Sequence, residues 1–370
     1  MKKKLSIVAA VVSTLLVAGC FDINNEDDHK KTDSLSLKQL IEYGSATNTG
    51  PAGLYIKDDG TLVAVGPGSG GTKSGEIFVA DPGSSDLVAK IVKTTGIQTY
   101  FGFHSLTYSP TRDSFFICSN PKIASPVSLP TVVEFKVNQA GEYAWTSVMN
   151  LGTPGIQPNQ ICKSLAVIEN RIFVINASAI DDRYPAMYWA DLPDKAAPSA
   201  NMKMAFQYSQ LGLKRSQLLR FTLMDMALEK DMPLNMYNFY LLDRGRNSID
   251  KVSLVYNTTL NVMELRDVIP MGYDPISINE PSALVNLNNS KFLVANGLNP
   301  SSKSFIYELL YSQNPAVLPK QYLLAESYAP IYSMIMGKSR DNSGQSLYAA
   351  IPYKETTSNK FYVSEYTFTG

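Results

Sequence analysis

Six times along the 370-residue sequence the same succession returns at intervals of roughly fifty residues. A short apolar strand is followed by a turn and a strongly β-branched or aromatic strand. A loop rich in glycine, asparagine or proline leads on to a third strand and a fourth. No convincing amphipathic helix interrupts the series. Repeated four-stranded antiparallel units without helices predict an all-β chain, a six-bladed β-propeller whose ring is closed by an N-terminal strand. A β-sandwich or a solenoid is the alternative, but unequal unit lengths and strands in fours favour blades.

The elements follow in order. Lys2, Lys3 and Lys4 form a basic stretch ahead of the apolar run Leu5 to Val17. As a helix that run would span roughly 20 Å, short of a bilayer core of about 30 Å, and so suits a signal segment better than a permanent span. Val17-Ala18-Gly19-Cys20 closes it. These four residues resemble the lipobox of bacterial lipoproteins. The resemblance implies that residues 1–19 are a signal peptide and that Cys20 becomes the lipidated amino terminus. The acyl chains, palmitate among them, would then hold the protein on the outer or cytoplasmic membrane, facing away from the cytoplasm. Residues 20–34 are polar and charge-rich and read as a flexible tether that includes His29. Residues 35–370 form the expected propeller domain.

Within that body the first strands read Gly53 to Ile56, Ser105 to Tyr108, Ser164 to Val167, Leu223 to Met226, Ser282 to Val285 and Ile331 to Met334. Second strands run Leu62 to Val65, Phe115 to Cys118, Ile172 to Ile175, Phe239 to Leu242, Phe292 to Ala295 and Leu347 to Ile351. Third strands run Glu76 to Ala80, Val132 to Val137, Met187 to Ala190, Ile249 to Leu254, Phe305 to Leu310 and Phe361 to Phe368. Turns such as Asp58-Asp59-Gly60 and Asn288-Asn289 join first strands to second. The sixth unit lacks a fourth strand, and Leu37 to Tyr43 is expected to supply it and cover an exposed edge. Cys118 and Cys162 fall near one face of adjacent blades and are a candidate disulfide; two buried thiols are the alternative.

Asp58-Asp59-Gly60-Thr61-Leu62-Val63-Ala64-Val65 and Leu242-Asp243-Arg244-Gly245-Arg246-Asn247-Ser248-Ile249 resemble the six-bladed propellers of NHL-repeat and SMP-30-like proteins. The propeller expectation places Tyr100, Phe101, His104, Gln157, Asn159, Lys163, Asn176, Arg220, Asp243, Glu280 and Asn296 around the channel mouth. SMP-30-like lactonases hold a divalent cation there, and the resemblance implies Glu280, Asn176, Asp243 and Asn296 as calcium ligands. The first blade departs from that family, because Gly50-Pro51-Ala52 stands where its glutamate would be. Asp243 is also suited to capping its own turn. No cofactor is expected outside the calcium alternative.

The 33 basic and 33 acidic side chains balance, and loss of three lysines with the signal segment leaves an acidic excess. Nucleic acid is therefore not an expected partner. Gly66-Pro67-Gly68-Ser69-Gly70-Gly71-Thr72-Lys73-Ser74 imitates a phosphate loop, but its spacing is wrong and a strand follows it. No nucleophile elbow or His-Glu-x-x-His motif is present. His104, the one histidine of residues 35–370, is tied to no serine or cysteine by any motif. The reading is an envelope-anchored binding or assembly scaffold rather than an enzyme, with a protein partner or small ligand at Tyr100, Phe101, His104, Lys163, Arg220 and Asp243. A calcium-dependent lactonase-like hydrolase and a surface lipoprotein that contacts host or matrix are the alternatives.

Overall fold

The computed structural model describes residues 34–44, 49–68, 75–90, 92–93, 102–120, 129–152, 160–178, 181–193, 199–212, 222–233, 236–271, 278–297, 302–312 and 317–369. Cys20, the tether and residues 1–19 lie outside them. Ser34–Thr369 forms one compact unit.

Strand β1 (Ser34–Tyr43) precedes a first unit of β2 (Gly53–Ile56), β3 (Leu62–Gly66), β4 (Glu76–Ala80) and β5 (Asp86–Ala89). The short β6 (Val92–Lys93) leads to a second unit of β7 (Phe103–Ser109), β8 (Ser114–Ser119), β9 (Thr131–Val137) and β10 (Tyr143–Leu151). The third is β11 (Cys162–Ile168), β12 (Arg171–Asn176), β13 (Pro185–Asp191) and β14 (Ser199–Gln207), followed by a 3-10 turn at Tyr208–Leu211. The fourth is β15 (Leu223–Leu228), β16 (Met236–Asp243), β17 (Ser248–Asn257) and β18 (Val262–Pro270). The fifth is β19 (Pro281–Asn286), β20 (Lys291–Asn296), β21 (Ser304–Leu310) and β22 (Lys320–Ser327). The sixth is β23 (Ser333–Lys338), β24 (Gln345–Ile351) and β25 (Phe361–Thr369), completed by β1.

Separate four-stranded sheets were expected throughout, and only the fourth and fifth units are separate. The first and sixth units merge into one eight-stranded sheet, because β1 and β5 pair in parallel at Glu42↔Asp86 and Tyr43↔Leu87. The second and third merge likewise through β10 and β14, from Val148↔Ser199 to Leu151↔Met202, with β6 also on β10. Outer strands in these two places come close enough for a short ladder. β1 runs antiparallel to β25 from Ser34↔Thr369 to Tyr43↔Phe361, slipping once between Leu37 and Gln39.

Second and third strands read as nearly continuous apolar runs because both of their faces are buried. Successive side chains of a strand point to opposite faces. Leu62, Ala64, Phe78 and Ala80 therefore pack toward the sixth unit, with Tyr348, Ala350 and Val363. Val63, Val65, Ile77 and Val79 pack toward the second unit, with Phe103, Phe115 and Phe135. Four further apolar clusters fill the successive interfaces, second with third through fifth with sixth. The inner strands touch in the same cyclic order, β2, β7, β11, β15, β19, β23 and back to β2.

Candidate functional site

Inner strands carry a β-bulge at a matching place. The ladder slips between Phe103 and Ser105 in β7, Cys162 and Ser164 in β11, Leu223 and Asp225 in β15, and Pro281 and Ala283 in β19. At β2 the Ala52 N–H also donates to Val65, which already pairs with Gly53. At β23 the Tyr332 N–H donates to Ala350, the partner of Ser333. Bulges bend a strand and re-aim its side chains. The residues so placed are Ala52, His104, Lys163, Met224, Ser282 and Tyr332. Behind them stand Gly53, Ser105, Ser164, Asp225, Ala283 and Ser333, all small except Asp225. Close approach explains the size: a Cβ on Gly53 would sit 2.7 Å from Ser105 Cα and 3.1 Å from His104 O.

Lys163 belongs to the third unit and Tyr332 to the sixth, which stand opposite each other in the cyclic order. Lys163 Nζ nevertheless lies 5.0 Å from the Tyr332 ring centroid and donates to Tyr332 O at 3.5 Å, the long limit of a hydrogen bond. The side chain thus reaches from the third unit to the sixth. Burial lowers the Lys163 ammonium pKa, with Arg244 adding to that and Asp225 opposing it. His104, one blade away, falls from 6.5 to about 4, first through burial and then through the Lys163 charge. It is neutral at physiological pH and has no hydrogen-bond partner among the described residues.

Asp225 is drawn the other way. Burial raises its carboxyl, while the Leu284 N–H at 2.9 Å, the Lys163 charge, the Met226 N–H at 2.8 Å and the Ser164 hydroxyl pull it back. Arg244 sits within electrostatic reach of Glu280, Tyr332 and Asp243, and burial weakens its hold on a proton. Tyr332 and Tyr353 face each other hydroxyl to hydroxyl at 3.2 Å with edge-on rings. The group is a mouth lined by two cations, a neutral imidazole, two acids and two phenols.

The structure gathers only part of the expected set. His104 and Lys163 meet. Tyr100, Phe101, Gln157, Asn159 and Arg220 lie outside the described residues. Asp243 is fully buried and caps its own turn, accepting from the Gly245 N–H at 2.8 Å and Arg246 Nε at 2.7 Å. Asn176 accepts from the Ile161 and Ser178 N–H groups and donates to Pro185 O. Asn296 accepts from the Phe305 N–H at 2.8 Å. Glu280 alone of the four is exposed. With their oxygens spent on their own loops, Asn176, Asp243 and Asn296 do not join Glu280 around a cation. The residues do not fit calcium. Among the described residues no group of three His, Cys, Asp or Glu side chains is placed to hold a metal ion.

Asp225, Arg244, Tyr332 and Tyr353 escaped the sequence reading. A bulge is a property of register between strands, so nothing local marks it. Below the mouth Cys118 and Cys162 are joined as a disulfide, their Cα atoms 5.5 Å apart. The Asn120 side chain bridges the same two strands, accepting from the Cys162 N–H at 2.9 Å and donating to its carbonyl at 2.7 Å.

No protein-family model matches the chain, and no curated protein matches it. Solved structures do. The luciferin-regenerating enzyme shares 14% identity over 91% of this chain and 95% of its own, with a TM-score of 0.54. The α-L-arabinanase of Penicillium chrysogenum, solved with arabinobiose, shares 10% identity over 90% and 98%, also with a TM-score of 0.54. Identities this low speak for the fold alone: the chain has an all-β, β-propeller-like fold.

Proposed function

We propose that this chain is an envelope lipoprotein, anchored through Cys20, whose six-bladed propeller binds a small ligand at the mouth around Lys163. Closure of the ring by β1, cyclic contact among the inner strands and six apolar clusters between consecutive units support the six-bladed reading. One observation carries the binding reading. Lys163 brings a part-buried ammonium to the mouth, where among the described residues it meets a ring face and one long contact with a carbonyl. A part-buried charge with so few protein partners is costly to the fold, which supports a role in holding a ligand.

The test is a thermal-shift screen of polar metabolites against the parent and Lys163→Met. Ligands that stabilise the parent and leave the variant unmoved support the reading. Ligands that stabilise both equally place binding elsewhere. Anchoring is checked separately: Cys20→Ala should remain an uncleaved precursor that takes up no labelled fatty acid.

A hydrolase is the second reading, favoured by the fold shared with the luciferin-regenerating enzyme and the arabinanase. The chemistry would then rest on Asp225, His104 and Lys163 rather than on calcium. Turnover of lactones or arabino-oligosaccharides that survives a chelator and is lost in Asp225→Asn would establish it. Turnover abolished by the chelator would restore the metal.

A further inference from the structure

Among the described residues at the mouth, two donor-bearing side chains are left with few acceptors. Among the described residues Lys163 Nζ has three N–H bonds and one long contact, and a neutral His104 ring offers one more donor with no partner. The local carboxylates are not placed to meet them. Asp225 spends its oxygens on the Leu284 and Met226 N–H groups and on Ser164, and Glu280 lies beside Arg244. The phenols of Tyr332 and Tyr353 already face each other. Among the described residues no carboxylate hydrogen-bonds to Lys163 or His104, which leaves room for an anionic acceptor between the second and third units and within reach of Arg244.

We propose that the ligand bound at this mouth carries an oxyanion, a carboxylate or a phosphate, which Lys163 and His104 hold directly. The proposal rests on the reading of the mouth as a small-molecule site. An oxyanion would replace the long contact to Tyr332 O with charge-assisted hydrogen bonds about twice as strong as neutral ones. The ammonium and imidazole would fix the anion, and the phenol pair and Glu280 would remain for hydroxyl groups on the rest of the molecule. A neutral ligand would leave the ammonium as poorly met as before. A cation would meet Lys163 and Arg244 head on.

Histidine labelling gives a direct probe, because the chain has two histidines and His104→Gln separates their signals. The full-length protein in detergent is titrated with D-galacturonate and D-glucose 6-phosphate, and with the neutral D-galactose and D-glucose, while the His104 ring resonance is followed. The proposal expects one or both anions to shift His104 at concentrations where the neutral sugars do not. Comparison of the two anions distinguishes carboxylate from phosphate. Lys163→Met should weaken the favoured anion about tenfold or more, and Lys163→Arg should retain most of the affinity. Neutral sugars that shift His104 as strongly as the anions overturn the oxyanion while leaving the mouth as a binding site. If no compound of the four shifts His104, or if Lys163→Met binds like the parent, the proposal falls. Unfolding of Lys163→Met is checked through the His104 shift in the absence of ligand, and Lys163→Gln serves if Met fails to fold.

Discussion

The junction between the sixth and first units and the channel mouth both bury charge, and they treat it in opposite ways. At the junction Arg340 donates to the carbonyls of Gly60, Ala80 and Ser84 at 3.2, 3.1 and 2.7 Å, and to that of Asp81. Glu365, one strand away, accepts from Gln39, from the Ser339 and Ser346 hydroxyls and from the Arg340 N–H. Burial alone would raise its carboxyl, but those bonds outweigh burial and hold it below the usual range. At the mouth Lys163 and His104 are part-buried and have far fewer partners among the described residues. The terminal nitrogens of Arg340 are met by four carbonyls, although its Nε is left without a partner among the described residues.

The largest test of that contrast removes β1 altogether. Deleting residues 34–43 strips Leu35, Ile41 and Tyr43 from the core and bares the edge of β25, at a cost of about 5 kcal/mol or more. Chemical denaturation reads it, and a deletion as stable as the parent would mean that β1 does not close the ring. Arg340→Met comes next. It orphans four carbonyls at one seam and should cost about 3 kcal/mol in the same assay. A loss below about 1 kcal/mol would show that the bonds count for little.

A third test concerns Asp243 and Asp250, which share Arg246. Burial, against the pull of Arg246 and with the help of Asp243, lifts the Asp250 carboxyl from 3.8 to about 6. Between those values the folded chain keeps a proton that the unfolded chain has lost. Stability should therefore fall as pH rises from about 4 to about 6, by up to about 3 kcal/mol. Asp250→Asn should flatten that slope, and a slope that persists belongs to other groups. The smallest effect is expected at the mouth. Burial already disfavours the Lys163 ammonium in the folded chain, so Lys163→Met should leave stability within about 1 kcal/mol of the parent, or above it. The cost of the charge is present below its lowered folded pKa and fades as pH climbs toward 10.5, so any gain from the variant should shrink in alkali. A large loss would move Lys163 into the same class as Arg340.

Much of the strand order was legible. Runs such as Phe115 to Cys118 and Phe239 to Leu242 are apolar on both faces, and turns such as Asp58-Asp59-Gly60 punctuate them, so local pattern suffices. β1 was legible in part, as a strand left over where a unit lacked one. The parallel ladders of β1 with β5 and β10 with β14 were not, because they depend on how far outer strands splay. His104 and Lys163 stood out as rare or charged residues at strand starts. Asp225 looked like one polar residue in an apolar strand, and only the two-to-one pairing of β15 with β16 reveals it on the inner ring. Arg340 had no local signal, since its partners lie more than 250 residues away.

The pairing of Ser34 with Thr369 spans 335 residues, and it dictates an order of events during biogenesis. Joining ends so far apart costs about 5 kcal/mol in loop entropy before any return. β1 emerges early and has only its two-residue parallel ladder with β5 until β25 has been made, so through most of synthesis its long antiparallel edge stays open while apolar units assemble behind it. A nascent chain in that condition exposes strand edges that invite association with its copies. Pairing of β1 with β25 therefore comes only after the intervening units have been made.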